Sequence, residues 1–255
     1  MKKLLLAATA LSLFAGSAMA ADMPAYGPAY KSAPPAPAYS WTGFYLAAGG
    51  GYGQWTADTT TVSPTTGICV LCVEQRQGGR GWFGTVGAGF DFQVSERIVL
   101  GVLTDYDFGN LKGTIQDQTP FFAGEIKQRS AWAVGARAGW LVTPRLLSYF
   151  TAGYTQARFS DAPMVSTFNG AATPFSTAAF TTSGYFLGGG VEYEVLPGWN
   201  WKNEYRVSSY DSRTLRDCTA AGACISSITF EPTVQTVRSE LVYRFNVGSP
   251  VYARY

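Results

Sequence analysis

The stretch Val191-Glu192-Tyr193-Glu194-Val195, followed closely by Trp201-Lys202-Asn203-Glu204-Tyr205-Arg206-Val207, decides how this chain folds. In a strand, neighbouring side chains point to opposite faces. Val191, Tyr193, Val195, Trp201, Tyr205 and Val207 therefore share one face, and Glu192, Glu194, Lys202, Glu204 and Arg206 share the other. A single soluble hairpin can read this way. The same contrast repeated along a secreted chain specifies a barrel with an apolar outside and a charged inside.

The start of the chain supplies the secretion signal. Lys2 and Lys3 precede an apolar run from Leu4 to Gly16, and Ala18-Met19-Ala20 is a small-x-small cleavage site. Residues 1–20 read as a signal peptide cut between Ala20 and Ala21. No Cys follows the cut, so a lipid anchor is not expected. Losing two lysines takes the formal charge from +2 to 0, which gives no reason to expect nucleic acid as a partner. No later run is apolar for the roughly 18 residues that a spanning helix needs. Charged residues make up only 14% of the chain and aromatics 15%, a balance that suits short strands facing lipid. A secreted β-sandwich is the soluble alternative.

Residues 21–40 form a Pro/Ala/Tyr-rich arm, expected to be an extended periplasmic spacer. A barrel over 41–246 follows, and then a C-terminal extension, 247–255. Eight strands are expected at about 42–56, 79–93, 97–110, 124–142, 145–160, 180–196, 199–212 and 231–246. Tight turns at Val94-Ser95-Glu96, Thr143-Pro144 and Pro197-Gly198 alternate with long connections at about 57–78, 111–123, 161–179 and 213–230. The expected fold class is therefore all-β: an eight-stranded antiparallel transmembrane β-barrel with short periplasmic turns and long extracellular loops.

Most strands keep the two-faced pattern. Ile98, Leu100, Val102, Tyr106 and Phe108 oppose Asp105 and Asp107. Trp82, Val86, Ala88, Phe90 and Phe92 oppose Asp91 and Gln93. Trp132, Val134, Ala136, Ala138 and Trp140 oppose Lys127, Arg129 and Arg137. Val237, Leu241, Tyr243 and Phe245 oppose Arg238, Glu240 and Arg244. In the fifth strand Phe150 and Tyr154 share a face with Gln156 and Arg158, and strict alternation does not fix its register. Lys or Arg on the lipid face costs about 2–4 kcal/mol at the bilayer midplane, so the charged face belongs inside. A lipocalin-like barrel would show the reverse. Trp82, Phe92, Trp140, Tyr193, Trp201 and Tyr243, near strand ends, are candidate interfacial girdle residues.

The opening Trp41-Thr42-Gly43-Phe44-Tyr45, the run Gly49-Gly50-Gly51-Tyr52-Gly53 and the closing Val242-Tyr243-Arg244-Phe245 resemble the immunogenic outer-membrane protein family of Gram-negative bacteria, OmpA-like porin-family barrels. The resemblance covers about 41–245. It implies an abundant surface protein that supports envelope integrity, sometimes with host contact, and some members bind heme. Its implied partners are outer-membrane lipid and lipopolysaccharide, the barrel assembly machinery and host surface molecules. Members usually end on an aromatic residue that the assembly machinery reads. Here Phe245 is followed by Asn246 to Tyr255, so Tyr243 and Phe245 are the candidate signal, with Tyr255 as an alternative.

The chain has no His. Barrel hydrolases and Ser-His-Asp chemistry lack their usual base, so an enzyme is not expected. No cofactor is expected; heme would have to use Tyr, Met or Cys. Cys69, Cys72, Cys218 and Cys224 fall in long loops on the oxidising side, where disulfides are the default. Of three pairings, local closure (69–72 and 218–224) is preferred over cross-loop pairing, a redox pair or a zinc site.

The internal charges are the main site candidates: Glu192, Glu194, Lys202, Glu204, Arg206, Arg238, Glu240 and Arg244, with Asp91, Asp105, Asp107 and Arg137 reaching from across the lumen. An eight-stranded barrel is just wide enough for its own side chains, so these groups should pair. They either plug the lumen or line a narrow path for water and ions. Three roles follow: a structural surface barrel, a small-solute pore, or a loop-mediated adhesin.

Overall fold

The computed structural model describes residues 39–63, 65–69, 74–117 and 121–246. The strands are β1 (Gly43–Val62), β2 (Gln75–Gln93), β3 (Ile98–Gln116), β4 (Phe122–Thr143), β5 (Leu146–Phe159), β6 (Ala162–Ser166), β7 (Ala172–Thr177), β8 (Phe180–Leu196), β9 (Trp199–Tyr210), β10 (Arg213–Thr219) and β11 (Cys224–Asn246), with no helix among the described residues. Eight of them form a ring in the order β1-β2-β3-β4-β5-β8-β9-β11. The antiparallel ladder between β1 and β11, from Gly43↔Asn246 to Val62↔Ser227, closes it. The expected all-β, eight-stranded barrel is the fold. The expected signal peptide and cleavage site, most of the expected arm and the expected C-terminal extension lie outside the described residues.

The loop rim differs from expectation. Segments 57–62, 75–78, 111–116 and 224–230 are strand rather than loop, as are the short β6, β7 and β10. β6 pairs with β4, β7 with β6 and β10, and β10 with β11. Beyond the ends of β5, β8 and β9 the wall thus continues as β1-β2-β3-β4-β6-β7-β10-β11, a collar standing above the main ring. The Thr, Ser, Gly and Ala content of these segments mimics loop composition. Wall pairing overrides it, as context commonly overrides β-propensity.

Burial alternates as the two-faced reading requires. Asp91, Asp105, Arg137, Glu192, Glu204, Arg206, Arg238, Glu240 and Arg244 are buried in the lumen, while Trp82, Phe150 and Leu187 stand 75%, 76% and 61% exposed on the outer wall. β4 corrects the expected faces, and β5 settles a register that alternation left open. The ladders of β4 slip between Gln128 and Ser130 on the β5 side and opposite Phe108 and Leu111 on the β3 side. A bulge there shifts the alternation by one residue. Ile126, Gln128 and Ala131 point inward in succession, so Lys127 and Arg129 lie on the same outer face as Trp132, and only Arg137 enters the lumen. In β5, Tyr149, Thr151, Thr155, Ala157 and Phe159 are buried inward, which leaves Phe150, Tyr154, Gln156 and Arg158 outward.

Large lumen side chains fit because glycines stand opposite them. A Cβ at Gly101 would lie 2.0 Å from Asp91 Oδ1. Cβ atoms at Gly79 and Gly113 would lie within 2.5 Å of the Trp55 indole. The abundant strand glycines thus mark close approach to the wall.

Candidate functional site

The lumen is filled in layers. Near the turn rim, Trp41, Val99, Leu141, Leu147 and Tyr149 form an apolar cluster. Beside it lies a ring of four charges. Arg137 donates to Asp91 Oδ2 at 3.2 Å and to Glu192 Oε2 at 2.5 Å. Arg244 donates to the same Asp91 oxygen at 2.9 Å and to Glu192 Oε1 at 3.0 Å. Its other amino group reaches the Trp41 carbonyl at 2.8 Å. The Asn200 amide donates to Glu192 at 2.7 Å, and the Tyr39 hydroxyl donates to Asn200 at 2.9 Å. The last residues of the proline-rich arm therefore sit inside the barrel mouth. Asn200, Tyr39 and Trp41 are partners that charge alternation alone did not reveal.

A second cluster lies further up. Arg206 makes a two-pronged contact with Asp105 at 3.0 and 2.8 Å and reaches Glu204 at 2.8 Å. Arg238 bridges Asp105 and Asp107 at 3.2 and 2.9 Å. Tyr149 donates to Glu204 at 3.2 Å, and Lys202 pairs with Glu240. The guanidinium groups also stack on rings: Arg137 over Tyr149 at 4.0 Å and Arg206 over Phe186 at 4.2 Å. Planar guanidinium groups suit both contacts. Glu194 stands apart from this interior network. It pairs at 3.1 Å with Arg145, whose side chain is 77% exposed at the turn rim.

Above the charges the interior turns apolar again. Trp55, Phe83, Leu111, Ile115, Ile126, Phe159, Phe230 and Val234 belong to one buried cluster. The rings of Trp55, Phe159 and Phe230 meet edge to face at 5.6–6.2 Å. This layer was not anticipated: with an apolar outer face as the dominant signal, inward apolar residues near strand ends carry no contrast. Between the two layers, the space among Asp105, Asp107, Arg206 and Arg238 is about 10 Å³, room for a single water. No group of three or more potential metal ligands occurs among the described residues.

Of the remaining candidates, Cys218 and Cys224 form the local disulfide, with Cα atoms 4.0 Å apart on β10 and β11. Cys69 is also disulfide-bonded, and Cys72 lies outside the described residues. Tyr243 and Phe245 lie on the outer wall at the turn rim, their rings 4.8 Å apart and Phe245 5.9 Å from Phe44.

A closed ring of antiparallel strands, with its large apolar side chains outward and its ions inside, defines a transmembrane barrel of the outer membrane. The sequence profile described as the outer membrane protein beta-barrel domain matches residues 6–245, and the chain belongs to that family. It is 31% identical over 252 residues to the 31 kDa outer-membrane immunogenic protein of Brucella melitensis biotype 1, a match spanning 96% of this chain and 100% of that one. The protein of the same description from Brucella suis biovar 1 matches equally well. Among solved structures, the outer membrane protein OprG of Pseudomonas aeruginosa has the same fold, with a TM-score of 0.55 at 11% identity over 80% of this chain and 98% of that one. The short turns are thus periplasmic and the collar extracellular.

Proposed function

We propose that this chain is a structural, surface-exposed outer-membrane protein whose lumen is closed and which does no catalysis. The observation that carries this reading is the double closure: a layer of mutually paired buried ions beneath a layer of rings packed edge to face. An ion crossing the barrel would have to break the first and be stripped of water by the second. Removing one member of a buried ion pair typically costs about 3–5 kcal/mol, so the network favours a fixed plug over a path. The chain has no His for proton transfer at neutral pH.

The Brucella relatives are named as immunogenic. A collar held by wall pairing and by the Cys218–Cys224 bridge would present folded epitopes above the membrane, which supports surface exposure here as well. Host surface molecules would meet the same collar. Tyr243 and Phe245, outward at the periplasmic end of the last strand, are the residues we assign to the assembly machinery. The test is conductance of the purified protein in planar bilayers. Silence is expected, and stable openings would replace this reading with the pore.

A further inference from the structure

The outer wall carries a charge pattern that the closed lumen does not use. Arg80 stands directly opposite Lys112, and Lys112 directly opposite Lys127, across three adjacent strands. The β4 bulge adds Arg129 to this face, and Arg158 projects outward from β5 opposite Ser130. Five cations thus span four neighbouring strands, a patch roughly 15 Å wide at the spacing of strands in a sheet. Two acids lie at its upper margin: Glu125, paired with Lys127 at 2.8 Å, and Asp161. Three positive charges remain in excess. Like charges directly opposite in a ladder repel, so the bare row is unfavourable and an anion relieves it.

Position identifies the anion. Below the row on the same strands lie Trp82, Tyr106, Phe108, Trp132 and Tyr154, and beneath them only apolar or small uncharged outward residues as far as Phe92, Ile98 and Trp140. The row therefore begins where the apolar band ends and faces sideways at headgroup level. The row stops at β2: on the two strands next to it, the outward positions are Gln54, Thr56 and Asp58 on β1 and Gln235, Thr233 and Glu231 on β11, with no cation among them. We propose that Arg80, Lys112, Lys127, Arg129 and Arg158 bind the phosphate groups of an outer-leaflet lipid. Guanidinium and ammonium groups are suited to phosphate by charge and hydrogen-bond geometry, and the aromatic ring beneath supplies the surface for acyl chains.

The test uses the full mature chain in nanodiscs, titrated with bisphosphorylated lipid A and, separately, with the same lipid after its phosphates are removed. Tight binding of the first and at least roughly tenfold weaker binding of the second are expected, because each basic residue near an anionic headgroup contributes about fivefold. The R80Q/K112Q/K127Q/R129Q/R158Q variant should show a comparable loss, while R213Q/R216Q, on the collar away from the row, should bind as the parent. If the fivefold variant does not reach the heat-modifiable folded form, K112Q/K127Q replaces it, with at least a fivefold loss expected. Equal binding of the two lipids, unchanged binding by the variants, or full displacement by millimolar inorganic phosphate would overturn the proposal.

Discussion

At the scale of single residues, one contrast separates buried from exposed charge. Glu192 accepts from Arg137, Arg244 and Asn200 and is fully buried, whereas Arg145 reaches Glu194 from the solvent. Glu192→Gln should therefore lower unfolding stability in lipid by about 3–5 kcal/mol, since it leaves two buried cations short of a partner. Arg145→Ala should cost less, about 0–1 kcal/mol, because the Arg145 side chain is 77% exposed and a pair with one solvated partner contributes little. Denaturant titrations of the two variants check this directly. Gly113→Ala should cost about 1–3 kcal/mol, as overpacking does, because its methyl group would meet the Trp55 ring and the Gly78 carbonyl at 2.4 Å. The charge positions were legible in the sequence, since alternation with Tyr193, Tyr205 and Leu241 put them on one face. Their partners were not: Asn200, Tyr39 and Trp41 are unremarkable residue types that matter only once the barrel closes.

At the scale of elements, the collar is the part that sequence pattern did not disclose. β6, β7 and β10 are short and carry few large apolar residues, and their strand character comes from neighbours far along the chain. The β4 bulge was hidden for a related reason. Ser130 and Ala131 are small enough to tolerate either face, so strict alternation ran through them and placed Lys127 and Arg129 inside. The collar also carries a pH response. Asp217 is buried between β7 and β11, accepting from Thr177 at 2.5 Å and Ser226 at 3.1 Å. Burial pushes its carboxyl above the usual range, with nearby Asp117 adding to the effect and the two hydroxyls opposing it. The unfolded carboxyl ionises at lower pH than the folded one. The collar should thus lose stability as pH rises from the ordinary carboxylate range through the raised value, and be firmest below it. Hydrogen-exchange protection factors for Thr214 to Asp217 should fall between pH 4 and pH 7, and Asp217→Asn should flatten that difference.

At the scale of the whole molecule, two solvents shape the chain at once. Hydrocarbon accepts the exposed tryptophans, leucines and phenylalanines of the outer wall, and the lumen, too narrow for bulk water, forces its ions to satisfy one another. Fold class was readable because that inversion of inside and outside recurs on nearly every strand. Closure was not, because it needs both the ion layer and the ring layer above it. Breaking either upper layer alone, with Trp55→Ala/Phe159→Ala or with Arg206→Ala/Arg238→Ala, should leave planar-bilayer recordings silent, and so should the combined variant, because the Arg137–Asp91–Glu192–Arg244 ring and the Trp41 cluster still close the turn rim.

The most direct measurement places nitroxide labels at Tyr205 and Leu241 on the outer wall and at Thr85 and Thr236 within, in protein reconstituted into lipid. The account predicts that dissolved oxygen relaxes the outer labels strongly and that a water-soluble nickel chelate reaches none of the four. Inner labels relaxed by the nickel chelate, or outer labels shielded from oxygen, would contradict it.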